Sequence, residues 1–249
     1  MSKDKIQDLS FLGLKYARFL ADDINLEKLE KEKGDHSYIA IYSYKKIHLK
    51  DFELFKIQQT PIIDLTQSPE EIFKKFHTLT RRGVRHAEAF PDLRFSIPDD
   101  NINRSYKFYK EIKIKDGIIP DIRREFQNCI FFNAYFKDKI VASISFYDNG
   151  SCLRCKHIVS LRKEMGGESR IAAYAARKLV WEICKYGKNR GYKKIDLGGI
   201  NFNDPAKRGV AQFKGSFGGI IQDIYIYRYE TKAFKFARSV LNYFRRNIH

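Results

Sequence analysis

Residues 196–219 read DLGGINFNDPAKRGVAQFKGSFGG, and the fold turns on how that stretch is parsed. Asp196 and Leu197 close a run that starts at Tyr192, which reads as a strand. Gly198 and Gly199, then Gly215, Gly218 and Gly219, concentrate backbone freedom around the end of that strand, where a substrate chain could approach the main chain closely. Beyond them, Ile221, Ile224, Ile226 and Tyr229 alternate with polar residues, giving a strand within 218–229. A basic helix over 231–247 follows.

Working upstream, Gly191 closes a long helix expected over 170–189, and Gly166, Gly167 and Ser169 form the loop that opens it. Residues 128–136, 139–147 and 151–159 read as three consecutive antiparallel strands, the last two joined through Asp148, Asn149 and Gly150. A helix is expected over 101–114. Further upstream, a short buried strand over 60–64 leads to Ser68, Pro69, Glu70 and Glu71: a cap, a proline in the first helical position and acids at the positive end of the dipole. The spacing predicts one helix from Pro69 to about Ala89, with Ile72, Phe73, Phe76, Leu79 and Val84 on its apolar side and Arg81, Arg82, Arg85 and His86 opposite. Residues 35–49 read as a strand or hairpin. A β-meander feeding a β-loop-α-β unit implies an α/β protein of the α+β kind, with a mixed, mostly antiparallel sheet flanked by helices. The expected partition is an N-terminal extension over 1–59 contributing a hairpin and helix, a main domain over 60–230 and a basic C-terminal helix over 231–249.

The bulk composition narrows the partners. With 249 residues, 43% of them apolar, the chain can bury a sizeable core. Its apolar runs fall far short of the roughly 20 residues that span a bilayer, and 1–8 lacks the apolar stretch of a signal peptide, so a cytoplasmic protein is expected. The net charge of +17 favours anionic partners: nucleic acid, a phosphorylated substrate or an anionic membrane surface. Cys129, Cys152, Cys155 and Cys184 read as packing thiols. The spacing of Cys152, Cys155 and His157 does not predict a metal site, because strand positions three apart face opposite ways.

The stretch DLGGIN followed by GVAQFKGSFGG resembles the strand-loop-FK-x-x-FGG signature of the Fem-type peptidoglycan-bridge aminoacyltransferases. The segment IDLTQSPEEIFKKFHTLTRRGVRHAEAF resembles that family's strand followed by an arginine-rich helix, and the order of elements agrees from Thr60 to Tyr229. The resemblance implies a GNAT-like acyltransferase domain. It also implies transfer of an aminoacyl group from aminoacyl-tRNA to an amine of a phosphorylated or lipid-linked cell-wall precursor, with no bound cofactor. In that family the acceptor cleft lies between two such domains, so a homodimer supplying the second is among the expected partners.

Acyl transfer to an amine needs a nucleophile, stabilisation of a tetrahedral oxyanion and help for the leaving group. By the resemblance, Lys214 of the FK pair stabilises the developing negative charge; a solvated lysine is the plainer reading. Asp196 is read as a catalytic residue, orienting or deprotonating the amine, or else as a cap on neighbouring amides. Phe213, Gly198, Gly199 and Asn201 are expected to line the substrate, and Arg81, Arg82 and Arg85 to hold phosphate or to form a solvated helix face. Gly166, Gly167 and Ser169 form a candidate phosphate cradle for the donor. An acyl-CoA donor is the alternative, although Arg162, Gly166 and Gly167 do not match the usual coenzyme A loop pattern. A non-catalytic tRNA- or RNA-binding module is a further alternative. The terminal helix, with Phe234, Ala237, Leu241 and Phe244 in one stripe among lysines and arginines, is expected to dock on its own domain or to make a peripheral contact with the inner membrane face.

Overall fold

The computed structural model describes residues 5–11, 13–20, 26–161 and 169–246, and the side chains of 11, 26 and 241–246 are not described. Two units divide the chain: 1–58 together with 223–249, and 59–222.

The first unit is assembled from both ends of the sequence. β1 (Lys5–Phe11) and β2 (Leu14–Leu20) form an antiparallel hairpin, α1 (Leu26–Asp35) follows, and β3 (Tyr38–Ser43) pairs parallel to β2. Residues 35–49, expected as a strand or hairpin, hold one strand. Its other edge is taken by β10 (Ile220–Glu230), antiparallel from Tyr225↔Ser43 to Glu230↔Tyr38. Ala17, Phe19, Leu29, Ile39, Ile41, Leu49 and Tyr227 pack into the core of this unit. α7 (Lys232–Arg246) docks on it through Phe234, whose ring stacks on Tyr38 at 4.9 Å, and through an Arg238–Glu230 ion pair at 2.6 Å.

The second unit carries a sheet in the order β4 (Glu53–Asp64), β9 (Lys194–Asp196), β8 (Cys152–Ser160), β7 (Lys139–Asp148), β6 (Cys129–Phe136), β5 (Leu93–Asp99). Only β8 and β9 run parallel, so the expected mixed, mostly antiparallel sheet is present. Successive side chains of β6 sort its two faces. Phe132 meets Tyr186 of α5 (Ser169–Asn189) at 5.2 Å, whereas Phe131 meets Phe126, which packs on Tyr109 of α4 (Ile102–Lys115) at 4.9 Å. Helices α4 and α5 therefore cover opposite faces. Asn101 caps α4 by accepting from the Arg104 amide. All four cysteines are buried thiols. Among the described residues no helix is long and apolar enough to cross a membrane.

The single helix expected from Pro69 to about Ala89 is two. α2 (Pro69–Lys75) starts as predicted, with Ser68 and Glu71 exchanging side-chain and backbone hydrogen bonds in a capping box. It stops because Phe76 turns extended and His77 starts α3 (Thr78–Ala87), its ring accepting from the Leu79 amide. The break sinks Phe76, 1% exposed, against Trp181 and Phe217. It also resets the helical phase, which leaves Leu79 62% exposed instead of on the apolar side.

Candidate active site

In the second unit the one parallel strand pair comes apart partway along. β8 and β9 are in register only over Cys152↔Lys194, Leu153↔Ile195 and Arg154↔Asp196. Beyond that point β8 continues on β7 alone as far as Ser160, while residues 197–200 stay with β4 through Leu197 N–H to Pro61 O and Ile200 N–H to Gln59 O. Where the chains part, Cys155 of β8 lies against the Gly198–Gly199 turn.

Asp196 holds the point of divergence. It is fully buried; one oxygen accepts from Thr60 Oγ1 and from the Gly198 amide at 2.7 Å, and the other pairs with the Arg154 guanidinium. An arginine only 6% exposed can be tolerated where a carboxylate balances it. Gly198 sits at φ +74, and a Cβ there would lie 2.9 Å from the Cys155 carbonyl oxygen, so the turn passes β8 with no room for a side chain.

Lys214 reaches this point from α6 (Pro205–Gly215), which starts at Asp204, capping the Ala206 amide, and Pro205. Its half-buried ammonium donates to the Gly199 carbonyl at 3.1 Å. Burial pulls the lysine pKa below its usual value, Arg154 and Lys113 push the same way, and the Cys155 thiol and Asp196 oppose them. Burial pushes the Cys155 thiol up to about 11, keeping it protonated and a poor nucleophile at neutral pH. The site thus offers the Lys214 ammonium, a group suited to stabilising an oxyanion, beside a protonated thiol that is unsuited to forming a covalent intermediate.

The structure brings Lys214, Asp196, Gly198 and Gly199 together. Phe213 turns the other way, its ring 5.0 Å from Phe217 at the edge of the core. Asn201 is exposed and accepts from the Asn203 amide. On α3, Arg81 is committed to backbone: its guanidinium donates to the carbonyls of Lys74 and Phe76 at 2.7 and 2.5 Å, closing the end of α2. Arg82 and Arg85 are exposed, with Arg85 over the Phe73 ring. The start of α3 is tied to the end of α6 by His77 N–H to Ser216 O and Thr80 Oγ1 to Ser216 Oγ, both at 2.8 Å. Ser169 is the first residue of α5; Gly166 and Gly167 lie outside the described residues.

The glycine pair ending the motif has a steric reason. Gly218 sits at φ +66 with its Cβ position 2.1 Å from the Lys75 carbonyl oxygen, and that of Gly219 lies 3.0 Å from the Ile62 backbone. Sequence reading missed Arg154 and Thr60. The available signal was a charged residue inside the otherwise apolar start of CLRCKHIVS, since a buried arginine demands a partner.

No family model and no curated protein sequence matches the chain. Solved structures do. The crystal structure of FemX superposes with a TM-score of 0.63 at 12% identity, covering 90% of this chain and 83% of that one. The C-terminal domain assigned to a lysylphosphatidylglycerol synthetase of Agrobacterium fabrum superposes at 0.54 and 12% identity, covering 95% and 88%. L-PGS from Bacillus licheniformis reaches 0.50 at 13% identity, covering 91% and 81%. At these identities the likeness is one of fold.

Proposed function

We propose that this chain is an N-acyltransferase that moves an aminoacyl or acyl group from an anionic donor onto an amine of a cell-wall or surface-polysaccharide precursor. The observation that carries the reading is the placement of the Lys214 ammonium where β8 and β9 part, against the Gly198–Gly199 turn. The fold shared with FemX supports it, as does the FK-x-x-FGG resemblance. Aminoacyl-tRNA is the donor this reading favours, and the net charge of +17 suits a polyanionic donor.

In the proposed reaction the free amine attacks the ester carbonyl of the donor. A C–N bond forms as the carbonyl π electrons move to oxygen, and the Lys214 ammonium stabilises the resulting oxyanion. Collapse breaks the C–O bond to the ribose; Lys214 hands its proton to the leaving alkoxide and recovers one from the new ammonium. Asp196 serves as a positioning residue, since both its oxygens are engaged in holding Arg154, Thr60 and the Gly198 turn.

A labelled-donor assay tests the proposal, offering charged tRNAs and, separately, acetyl-coenzyme A with muropeptide precursors as acceptors. Label passing from charged tRNA to the precursor, and lost in Lys214→Ala, is the expected result. Transfer from the thioester alone would replace the donor. Absence of transfer from either, with tRNA bound equally well charged or uncharged, would favour a binding module.

A further inference from the structure

An exposed aliphatic patch stands outside the candidate active site, at the C-terminal end of α4. Ile114, Ile118, Ile119 and Ile122 are 56%, 49%, 59% and 56% exposed, within a short stretch of one chain. Large apolar side chains clustered in this way mark a contact surface, whereas isolated ones do not.

These isoleucines are held outward by a firmly pinned segment. Gly117 ends α4 at φ +69 and reverses the chain, so that the Ile118 amide donates to the Lys113 carbonyl at 2.8 Å. The segment then runs back along α4. The Asp121 amide donates to Tyr109 Oη and the Asp121 carbonyl accepts from Tyr106 Oη, both at 3.1 Å, and the Arg123 guanidinium donates to Asn103. Asn103, Tyr106, Tyr109 and Lys113 form one stripe of the helix. From beneath, the Asp121 carboxylate is gripped by Lys156 at 2.7 Å and His157 at 2.8 Å. Burial opposes ionisation of Asp121, but those two partners outweigh it and hold its pKa below the usual carboxylate range. Ile119 and Ile122 fall between the pins.

The charge around the patch selects a partner. Lys110, Lys115 and Arg124 are exposed, Lys113 and Arg123 half-exposed. The exposed acids are Glu111 and Asp116, since Asp121 and Glu125 turn inward onto Lys156. Exposed aliphatic side chains interspersed with lysine and arginine match an anionic bilayer, with apolar groups entering the acyl boundary and cations meeting headgroups. A protein partner would call for aromatic anchors with lysine depleted, and single-stranded nucleic acid for stacking rings; the exposed side chains of 110–124 offer neither. We propose that Ile114, Ile118, Ile119 and Ile122, with the lysines and arginines among them, form a docking face for a membrane rich in anionic phospholipid. The proposal is independent of the acyl donor and acceptor.

The test is flotation of the full chain with vesicles of phosphatidylglycerol mixed with phosphatidylcholine, compared with phosphatidylcholine alone. The full chain is expected to bind the anionic vesicles selectively. The Ile119→Ser/Ile122→Ser variant, which keeps the net charge, should bind about tenfold more weakly or worse, with an unchanged melting temperature. Phe236→Ser, which alters the exposed ring on α7, should bind as the unmodified chain does. Equal binding by the isoleucine variant, or no preference for anionic vesicles, would overturn the proposal. So would conversion of a dimer to a monomer in that variant with vesicle binding intact, which would give the patch to a second copy of this chain.

Discussion

The Lys214 ammonium donates to the carbonyl oxygen of Gly199, across 15 residues of sequence, at the point where the parallel strands β8 and β9 separate. If that ammonium stabilises the oxyanion, Lys214→Ala should lower kcat by about 10²–10³-fold. The half-buried side chain contributes little to the core, so the circular dichroism melting curve should stay close to that of the unmodified protein. A kcat within a factor of two of the original would remove Lys214 from the mechanism.

The alkaline limb of the activity should come early. Burial lowers the Lys214 pKa below 10.5, with Arg154 and Lys113 adding to it and Cys155 and Asp196 opposing. A reaction that needs the cation loses rate as pH rises through that lowered value. Single-turnover rates across alkaline pH should therefore fall before 10.5, while Lys214→Arg, which keeps the charge but cannot hand on a proton, should be slow at every pH and lack that fall. The linked stability has the opposite sign: between the folded and unfolded pKa values the unfolded chain binds more protons, so this group's contribution to stability increases with pH.

Asp196→Asn should be costly to the fold. The substitution removes the Asp196 charge from the buried Arg154 guanidinium and weakens the grip on Thr60 and Gly198. Losing one partner of a buried pair costs about 3–5 kcal/mol, measurable by urea unfolding. A loss under about 1 kcal/mol would mean that water already reaches the pair.

Two glycines of the motif region should respond in opposite directions. Gly218→Ala forces a Cβ onto the Lys75 carbonyl at a positive φ and should destabilise by about 3 kcal/mol, combining left-handed strain with overpacking. Gly209→Ala, inside α6 with nothing within 4 Å, should stabilise by about 0.5–1 kcal/mol through helix propensity. Chemical denaturation of both variants decides the point.

Local signals carried much of this structure. The Ser68–Pro69–Glu71 start of α2, the Asn101 start of α4 and the three antiparallel strands β6, β7 and β8 follow from caps, period and turn residues acting within a few positions. Of the candidate site, Lys214 and the Gly198–Gly199 turn were legible because a motif places them close in sequence. Arg154 was not, because its importance comes from an aspartate 42 residues away.

The break between α2 and α3 shows why a continuous pattern can mislead. Phe76 and Leu79 both satisfy a helical stripe from Pro69 onward. The aromatic niche formed by Trp181 and Phe217 favours an extended Phe76, and the His77 amide finds its acceptor at Ser216, far along the chain.

By itself the sequence determined the kinds of element, most of their order and the mixed sheet, because each rests on side-chain period or backbone freedom within a short window. Tertiary structure alone decided that β10 closes a unit with β3, that Arg81 is taken up by the end of α2, and that the isoleucines of 114–122 face outward. Those outcomes depend on which distant groups satisfy buried charges and unpaired backbone, and such pairings are set only when the chain has folded.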